Sequence, residues 1–263
     1  MNKSDHSTEA AAAAAEAADQ QPLRVGIQGY AGAFHELAAR RFFGDRPVDI
    51  VPAHTFDQLV TALEKGATTD AGLMAIENTL AGTLLANYLL LTESSLAITG
   101  EVFLHIQQNL LVQPGVRIEE LEEVHSHPIA IAQCREFFDQ YPHIQLVETA
   151  DTALSAREVS EKGWRHVGAI ASTLAAELYK LEILAESIET NKQNHTRFLV
   201  LRRSNQTLFS QGADKVSLSF TVDHTVGSLY KVLAVLAAYN VNLTKIQSAP
   251  IIGHPWEYQF FVD

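Results

Sequence analysis

Residues 23–43 open Leu23-Arg-Val-Gly-Ile-Gln28, continue Gly29-Tyr-Ala-Gly32-Ala33-Phe34-His35, and run on to Phe43. Leu23–Gln28 is apolar enough for a buried strand, Gly29–Gly32 is turn chemistry, and the rest reads as a helix. The same rhythm then repeats. Val48–Val51 is a short strand, and Thr55-Phe-Asp-Gln58 has the capping-box pattern, opening a helix to Lys65. Ala71–Ile76 is an apolar strand ending on Glu77-Asn78, Gly82–Glu93 is helical by period, and Leu96–Val102 and Ile106–Val112 are strand-like. A second half follows, with strands at Glu123–Ser126, Ile144–Glu148 and His166–Ile170 and helices at Pro128–Tyr141, Asp151–Lys162 and Ser172–Tyr179. Leu199–Leu201 returns as a strand. Such alternation predicts parallel sheet with helices on both faces, and ligands at the carboxyl ends of its strands.

Ser204–Asp214 has the polar, glycine-containing composition of a linker. Beyond it Val216, Leu218, Phe220 and Val222 alternate with polar residues, as a half-buried strand does. Gly227-Ser228 leads into an amphipathic helix to Tyr239, and Asn242–Ser248 and Trp256–Val262 form a hairpin, giving β-α-β-β. At the other end, Met1 to Gln21 is an alanine block with scattered acids. It lacks the cationic start and apolar centre of a signal peptide, and a disordered tail is expected there.

At 263 residues, 47% hydrophobic and 19% charged, the chain can bury a sizeable core and suits two domains or one with an appendage. No apolar run reaches the roughly 18–20 residues that a membrane span requires. A single cysteine, Cys134, excludes a disulfide scaffold and a cysteine-clustered zinc site. It reads as a small buried thiol, and the expected location is cytoplasmic. Nineteen basic against 31 acidic residues give a net charge of −12, which argues against nucleic acid as a partner. An anionic ligand would then depend on local arginines and backbone N–H groups rather than on the global field.

Several short motifs carry chemistry at strand ends. In Asn191-Lys-Gln-Asn-His-Thr-Arg-Phe198, Thr196 offers a hydroxyl proton and Arg197 a planar fork of donors suited to a carboxylate; a surface ion pair is the plainer reading of Arg197. Gly29–His35 lets backbone N–H groups approach an anion at a helix start, or is simply a glycine turn. Glu77-Asn78-Thr79 with Gly82-Thr83 is an amide beside a helix start, or an Asx turn with a cap. His125-Ser126-His127-Pro128 has no third ligand at metal spacing and reads as a strand-to-helix turn ahead of Gln133 and Cys134. Asp151-Thr152-Ala153 reads first as an N-cap.

Taken in order, Gly29–His35, Glu77–Gly82, Ser126–Cys134, Asp151-Thr152-Ala153 and Asn194–Phe198 resemble the motifs of the prephenate dehydratase family. The likeness runs from about Leu23 to Asp263. The C-terminal part is similar to an ACT regulatory domain through Gly227-Ser228-Leu229, Asn242-Leu-Thr-Lys-Ile246 and Trp256-Glu-Tyr258. The resemblance implies an α/β catalytic domain of two lobes, like a type II periplasmic binding protein, over 22–203. A linker at 204–214 and an α+β, ferredoxin-like ACT domain at 215–263 would follow. An ACT unit normally runs β-α-β-β-α-β, so a truncated unit is expected here.

The implied reaction converts prephenate to phenylpyruvate, water and carbon dioxide on the route to phenylalanine, with no cofactor and no metal. Arogenate dehydratase, with the same chemistry on an amino acid, and a non-catalytic amino-acid sensor are the alternatives. A fused chorismate mutase is not expected, because only about 20 residues precede the first strand. By the resemblance Thr196, Asn78 and Gln133 are catalytic, and Arg197, Gly32, Thr79, Thr83, Ser126 and Phe198 bind substrate. Gly227, Ser228, Leu229, Gln247 and Ser248 mark an allosteric phenylalanine site. The sequence departs from the family's pattern at Ala33, His35 and Ile129, and Gln247-Ser248-Ala249-Pro250 lacks the acid and arginine of the usual effector signature. His35 would supply a donor whose charge changes near neutral pH. A homo-oligomer, dimer or tetramer, is expected.

Overall fold

A computed structural model describes residues 21–204 and 213–263. The expected tail, up to residue 20, and most of the expected linker lie outside these residues. The first lobe is a sheet with strand order β2-β1-β3-β11-β5: β1 (Leu23–Gln28), β2 (Val48–Ala53), β3 (Ala71–Asn78), β5 (Leu96–His105) and β11 (His195–Arg203), with β4 (Gly82–Thr83) on β3. Its helices are α1 (Phe34–Phe43), α2 (Phe56–Lys65) and α3 (Leu85–Glu93). The Thr55 hydroxyl caps α2 by accepting from Gln58 N–H at 3.2 Å, while the Gln58 side chain reaches back to His54 N–H instead of the cap itself.

The second lobe is ordered β10-β6-β9-β7-β8: β6 (Asn109–Val112), β7 (Glu123–Ser126), β8 (Gln145–Glu148), β9 (Val167–Ala171) and β10 (Glu182–Ala185). Helices α4 (Pro128–Phe138), α5 (Thr152–Lys162) and α6 (Thr173–Tyr179) flank it. The all-parallel expectation is corrected. β1 runs parallel to β2 and β3, but β11 is antiparallel to both β3 and β5, and β6 is antiparallel to β9 and β10. The reason is the path of the chain. It leaves the first lobe after β5 and returns through β11, so each sheet receives a strand that enters from the other lobe. Ile106 N–H donates to Asn194 O at 2.8 Å and Ile188 N–H to Gln108 O at 2.7 Å, lacing the two crossings together.

Side-chain alternation divides the first lobe's sheet into two faces. Leu73 and Ala75 of β3 and Phe198 and Val200 of β11 pack with α1. Met74, Ile76, Leu199 and Leu201 pack on the other face with Val60 and Leu63 of α2, and with Ala249 and Phe261 of the C-terminal segment. That segment is a three-stranded antiparallel sheet, β12 (Leu218–Thr221), β14 (Tyr258–Val262) and β13 (Ile246–Pro250), with helix α7 (Ser228–Ala238). The β-α-β-β order matches the sequence reading. Among the described residues no helix is long and apolar enough to cross a membrane.

The lobes also touch at the Gly29–Gly32 turn. Gly32 has φ 87°, and a Cβ there would lie 3.0 Å from the Ala175 Cα, so only glycine suits both the backbone and the approach of α6. Ser172 Oγ donates to Gly32 O at 2.6 Å, and Tyr179 OH donates to Ala31 O at 2.7 Å.

Candidate active site

Between the lobes lies a cavity of about 220 Å³. From the first lobe it is lined by Gln28, Phe34, His35, Asn78, Leu84, Thr196 and Phe198, and from the second by His127, Ile129, Gln133, Asp151 and Thr152. Gln108 and Asn194, from the two crossing segments, complete its floor. It therefore sits where the N-terminal turns of α1, α4 and α5 converge with the ends of β1, β3 and β11.

One hydrogen-bond chain runs across it. Thr196 is register partner to Asn78 across β11 and β3, and Asn78 Nδ2 donates to Thr196 Oγ1 at 2.9 Å and to Asn194 Oδ1 at 2.8 Å. Asn194 Nδ2 donates in turn to Gln133 Oε1 at 3.0 Å, which also accepts from Gln108 Nε2 at 3.3 Å. Asn78 Oδ1 accepts from the N–H groups of Leu80 and Ala81, an Asx turn as one sequence reading had it. The Asn78 amide is thus occupied within the protein and orients its neighbours. An oxygen lone pair of Thr196 is taken by Asn78, which leaves the hydroxyl proton to be donated into the cleft. No histidine or carboxylate is hydrogen-bonded to Thr196 among the described residues, so the hydroxyl has no base to make it a nucleophile.

His35 packs edge-on to Phe198, ring centroids 5.0 Å apart, and against Phe56 at 5.7 Å. Burial holds its imidazole pKa down to about 4, so the ring is neutral at physiological pH. The expected titration near neutrality is corrected: the ring sits among aromatic side chains and no carboxylate offsets the loss of water. Its Nε2 is buried without a partner.

Thr196, Asn78, Gln133 and Phe198 meet at the cleft; the other expected substrate contacts do not line it. Arg197 projects from the opposite face of β11, as the alternation with Thr196 and Phe198 requires. Its guanidinium is buried, donating to Glu101 Oε2 at 2.7 Å and to Asp263 Oδ2. The expected grip of Arg197 on a substrate carboxylate is corrected to a clamp between β5, β11 and the C-terminal sheet. Gly32 N–H is spent on the Glu36 carboxylate at 2.7 Å. Thr79 Oγ1 donates to Gln193 O at 2.6 Å and accepts from His195 N–H at 2.9 Å, pinning the loop before β11. Thr83 Oγ1 accepts from Lys245 Nζ, which also pairs with Glu77 at 2.6 Å. Ser126 is buried and donates to Ile170 O at 2.7 Å. The anion-ready groups lie two and three residues later than expected: Ala33 gives α1 no side-chain cap, and the N–H groups of Phe34 and His35 find no acceptor among the described residues.

Gly227 caps α7, Ser228 and Leu229 lie on it and Gln247 and Ser248 lie on β13, all outside the cleft. Cys134 is buried in the second lobe's core, and burial pushes its thiol up to about 12, in keeping with an inert side chain. Sequence reasoning missed Gln28, Gln108, Asn194 and His127 as cleft residues. Asp151 and Thr152 belong to one of the family-like motifs, but the sequence gives them no role beyond a cap. Asp151 does cap α5, accepting from Leu154 N–H at 2.8 Å, and it faces the cleft as well.

A prephenate dehydratase family model matches residues 25–206. Arogenate dehydratase 2 of Petunia hybrida is 40% identical over 231 residues, 87% of this chain and 57% of that protein. The bifunctional chorismate mutase/prephenate dehydratase of Enterobacter agglomerans is 33% identical over 242 residues, 91% of this chain and 62% of that one. The chain thus spans about three fifths of the length of these curated relatives. Among solved structures, the prephenate dehydratase of Arthrobacter aurescens in complex with L-Phe superposes with a TM-score of 0.80 at 27% identity, covering 91% of this chain and 79% of that one. GqqA, described as a novel type of quorum quenching acylase, superposes with a TM-score of 0.79 at 34% identity, covering 91% of this chain and 86% of that one. The fold is that of the two-lobed, periplasmic-binding-protein-like dehydratases. With the matched region running from β1 through β11 and so taking in both walls of the cleft, the chain belongs to the prephenate dehydratase family.

Proposed function

We propose that the cleft catalyses decarboxylating dehydration of prephenate, or of its amino counterpart arogenate, in phenylalanine biosynthesis. The ring hydroxyl leaves with a proton as water, and the bond to the ring carboxylate breaks, giving carbon dioxide and leaving its electron pair in the new aromatic ring. The single observation that carries this reading is the Asn78–Thr196 pair, which fixes the hydroxyl oxygen and frees its proton at an otherwise largely apolar wall. Thr196 supports the departing oxygen by hydrogen bonding, Gln133 holds the substrate's polar edge through its free Nε2, and Phe198 and Leu84 pack on the ring. Substrate carboxylates meet the uncapped N-terminus of α1, where N–H groups and the helix dipole favour negative charge. Acyl transfer of the kind named for the acylase neighbour would need an activated nucleophile, and Thr196 has no base beside it.

In this reading residues 22–203 form the catalytic region and 215–263 an ACT-type regulatory region that responds to phenylalanine. Support comes from the L-Phe complex of the Arthrobacter aurescens structure and from the Arg197–Asp263 and Lys245–Glu77 pairs, which tie that region to the reverse side of the two strands bearing Thr196 and Asn78.

The test is turnover of prephenate by purified protein, read as phenylpyruvate absorbance in alkali, beside the Thr196→Ala variant. Loss of a group that assists proton transfer typically costs roughly 10²–10⁴ in rate. Activity that falls by this much in a variant folded like the parent supports the assignment; wild-type kcat in Thr196→Ala ends it.

A further inference from the structure

The charge inventory of the cleft is one-sided. Among its described lining residues there is no lysine or arginine, and Asp151 is the one carboxylate. Arg197, the cation that the sequence offered, is turned away and bound by two acids. His35 is neutral. A keto acid with two carboxylates would find no side-chain cation here and one negative charge.

Asp151 is placed to bind rather than only to cap. Its Oδ1 holds the Leu154 N–H, whereas Oδ2 reaches across to the first lobe, where a Cβ on Gly29 would stand 2.7 Å from it. No side-chain donor bonds to Oδ2 among the described residues. The charged and titratable groups facing it are His127 on the turn before α4, Arg157 on α5 and Tyr179 on α6. Arg157 lies over the Tyr30 ring, 5.1 Å from its centroid, and forms no hydrogen bond with Asp151. Burial raises the Asp151 carboxyl above its usual range, against the opposing pull of the α5 N–H groups and of His127 and Arg157. A buried carboxylate with no cation hydrogen-bonded to it binds a ligand cation strongly, since the ligand offsets a desolvation cost that the nearby Arg157 leaves partly uncompensated.

The two candidate substrates differ in one substituent, a keto oxygen against an α-ammonium. We infer that Asp151 is a specificity-determining residue that pairs with the α-ammonium of an amino-acid substrate, so that the cleft prefers the arogenate form to the keto acid. The inference rests on the dehydratase reading above. Steady-state kcat/KM for both substrates, in wild type and in Asp151→Asn, tests it. Asparagine keeps the cap on α5 and removes the charge; Asp151→Ser, also a good cap, serves if the asparagine variant folds poorly. The expected result is a wild-type ratio favouring arogenate, falling at least tenfold in the variant through a higher KM for arogenate and a lower one for prephenate. A wild type that favours prephenate, or a ratio left unchanged by the substitution, overturns the inference while leaving the dehydratase reading intact. Turnover of neither substrate by folded wild type removes both.

Discussion

Replacing Arg197 by methionine separates a structural role for this residue from a substrate-binding one. The arginine side chain is 7% exposed and its partner Asp263 3%, so the pair is almost dry. Methionine retains much of the stem's packing but leaves the Asp263 carboxylate with only the Ser217 hydroxyl, at 2.6 Å. Breaking a buried pair by removing one partner typically costs roughly 3–5 kcal/mol. Glu101 is less buried and keeps Lys215 at 2.9 Å, which argues for the lower end, about 3 kcal/mol. For a domain of this size each kcal/mol moves the melting temperature by roughly 2–4 °C, so Tm should fall by about 6–12 °C. Differential scanning calorimetry measures the shift, and KM at a temperature where both proteins are folded measures substrate affinity. KM should stay within about threefold of wild type, because a lost carboxylate contact worth over 1.4 kcal/mol would raise it more than tenfold. An unchanged Tm with KM raised more than thirtyfold would mean that Arg197 reaches the substrate, and would refute the clamp. The clamp also carries an acid signature. Although burial pushes it up, hydrogen bonds from Ser217 and Arg197 hold the Asp263 carboxyl below its usual value. Its contribution is therefore complete above the unfolded carboxylate pKa of roughly 4 and is lost as pH falls through the lower folded value.

His35, held down to about 4 by burial, lowers stability as pH falls below its unfolded value near 6.5. The unfolded chain binds the proton first, so the loss grows by up to about 1.4 kcal/mol per pH unit and levels off below about pH 4. The drop in urea midpoint from pH 7 to pH 5 should be smaller in His35→Gln than in wild type, and an identical drop in both proteins would contradict a buried neutral ring. Phenylalanine titrated calorimetrically into the protein should release or absorb heat and lower dehydratase turnover if the C-terminal sheet and α7 form an effector site. A flat titration with unaltered turnover removes that role.

Element positions along β1, α1, β3 and the second lobe were legible because apolar periodicity survives in each. Strand direction was not. The pattern of Leu199–Leu201 looks alike whether the strand runs with or against β3, and only the double crossing near Ile106 and Asn194 decides it. The misplacement of Arg197 follows from reading that strand four residues short. Begun at His195, period-two alternation puts Thr196 and Phe198 on one face with Val200, and Arg197 on the other with Leu199. Asp151, His127 and Gln108 were hidden for another reason. Each has a local role as a cap or crossing residue, and only closure of one lobe on the other turns them toward a shared cavity.

The measurement that bears most directly on the cleft is the rate of the chemical step in wild type, Thr196→Val and Thr196→Ser under single-turnover conditions. Valine preserves the shape and removes the hydroxyl; serine restores it. The account predicts a loss of roughly 10²–10⁴ with valine and recovery to within about tenfold of wild type with serine. A valine variant as fast as wild type would contradict the assignment of the Asn78-oriented hydroxyl to the departing oxygen.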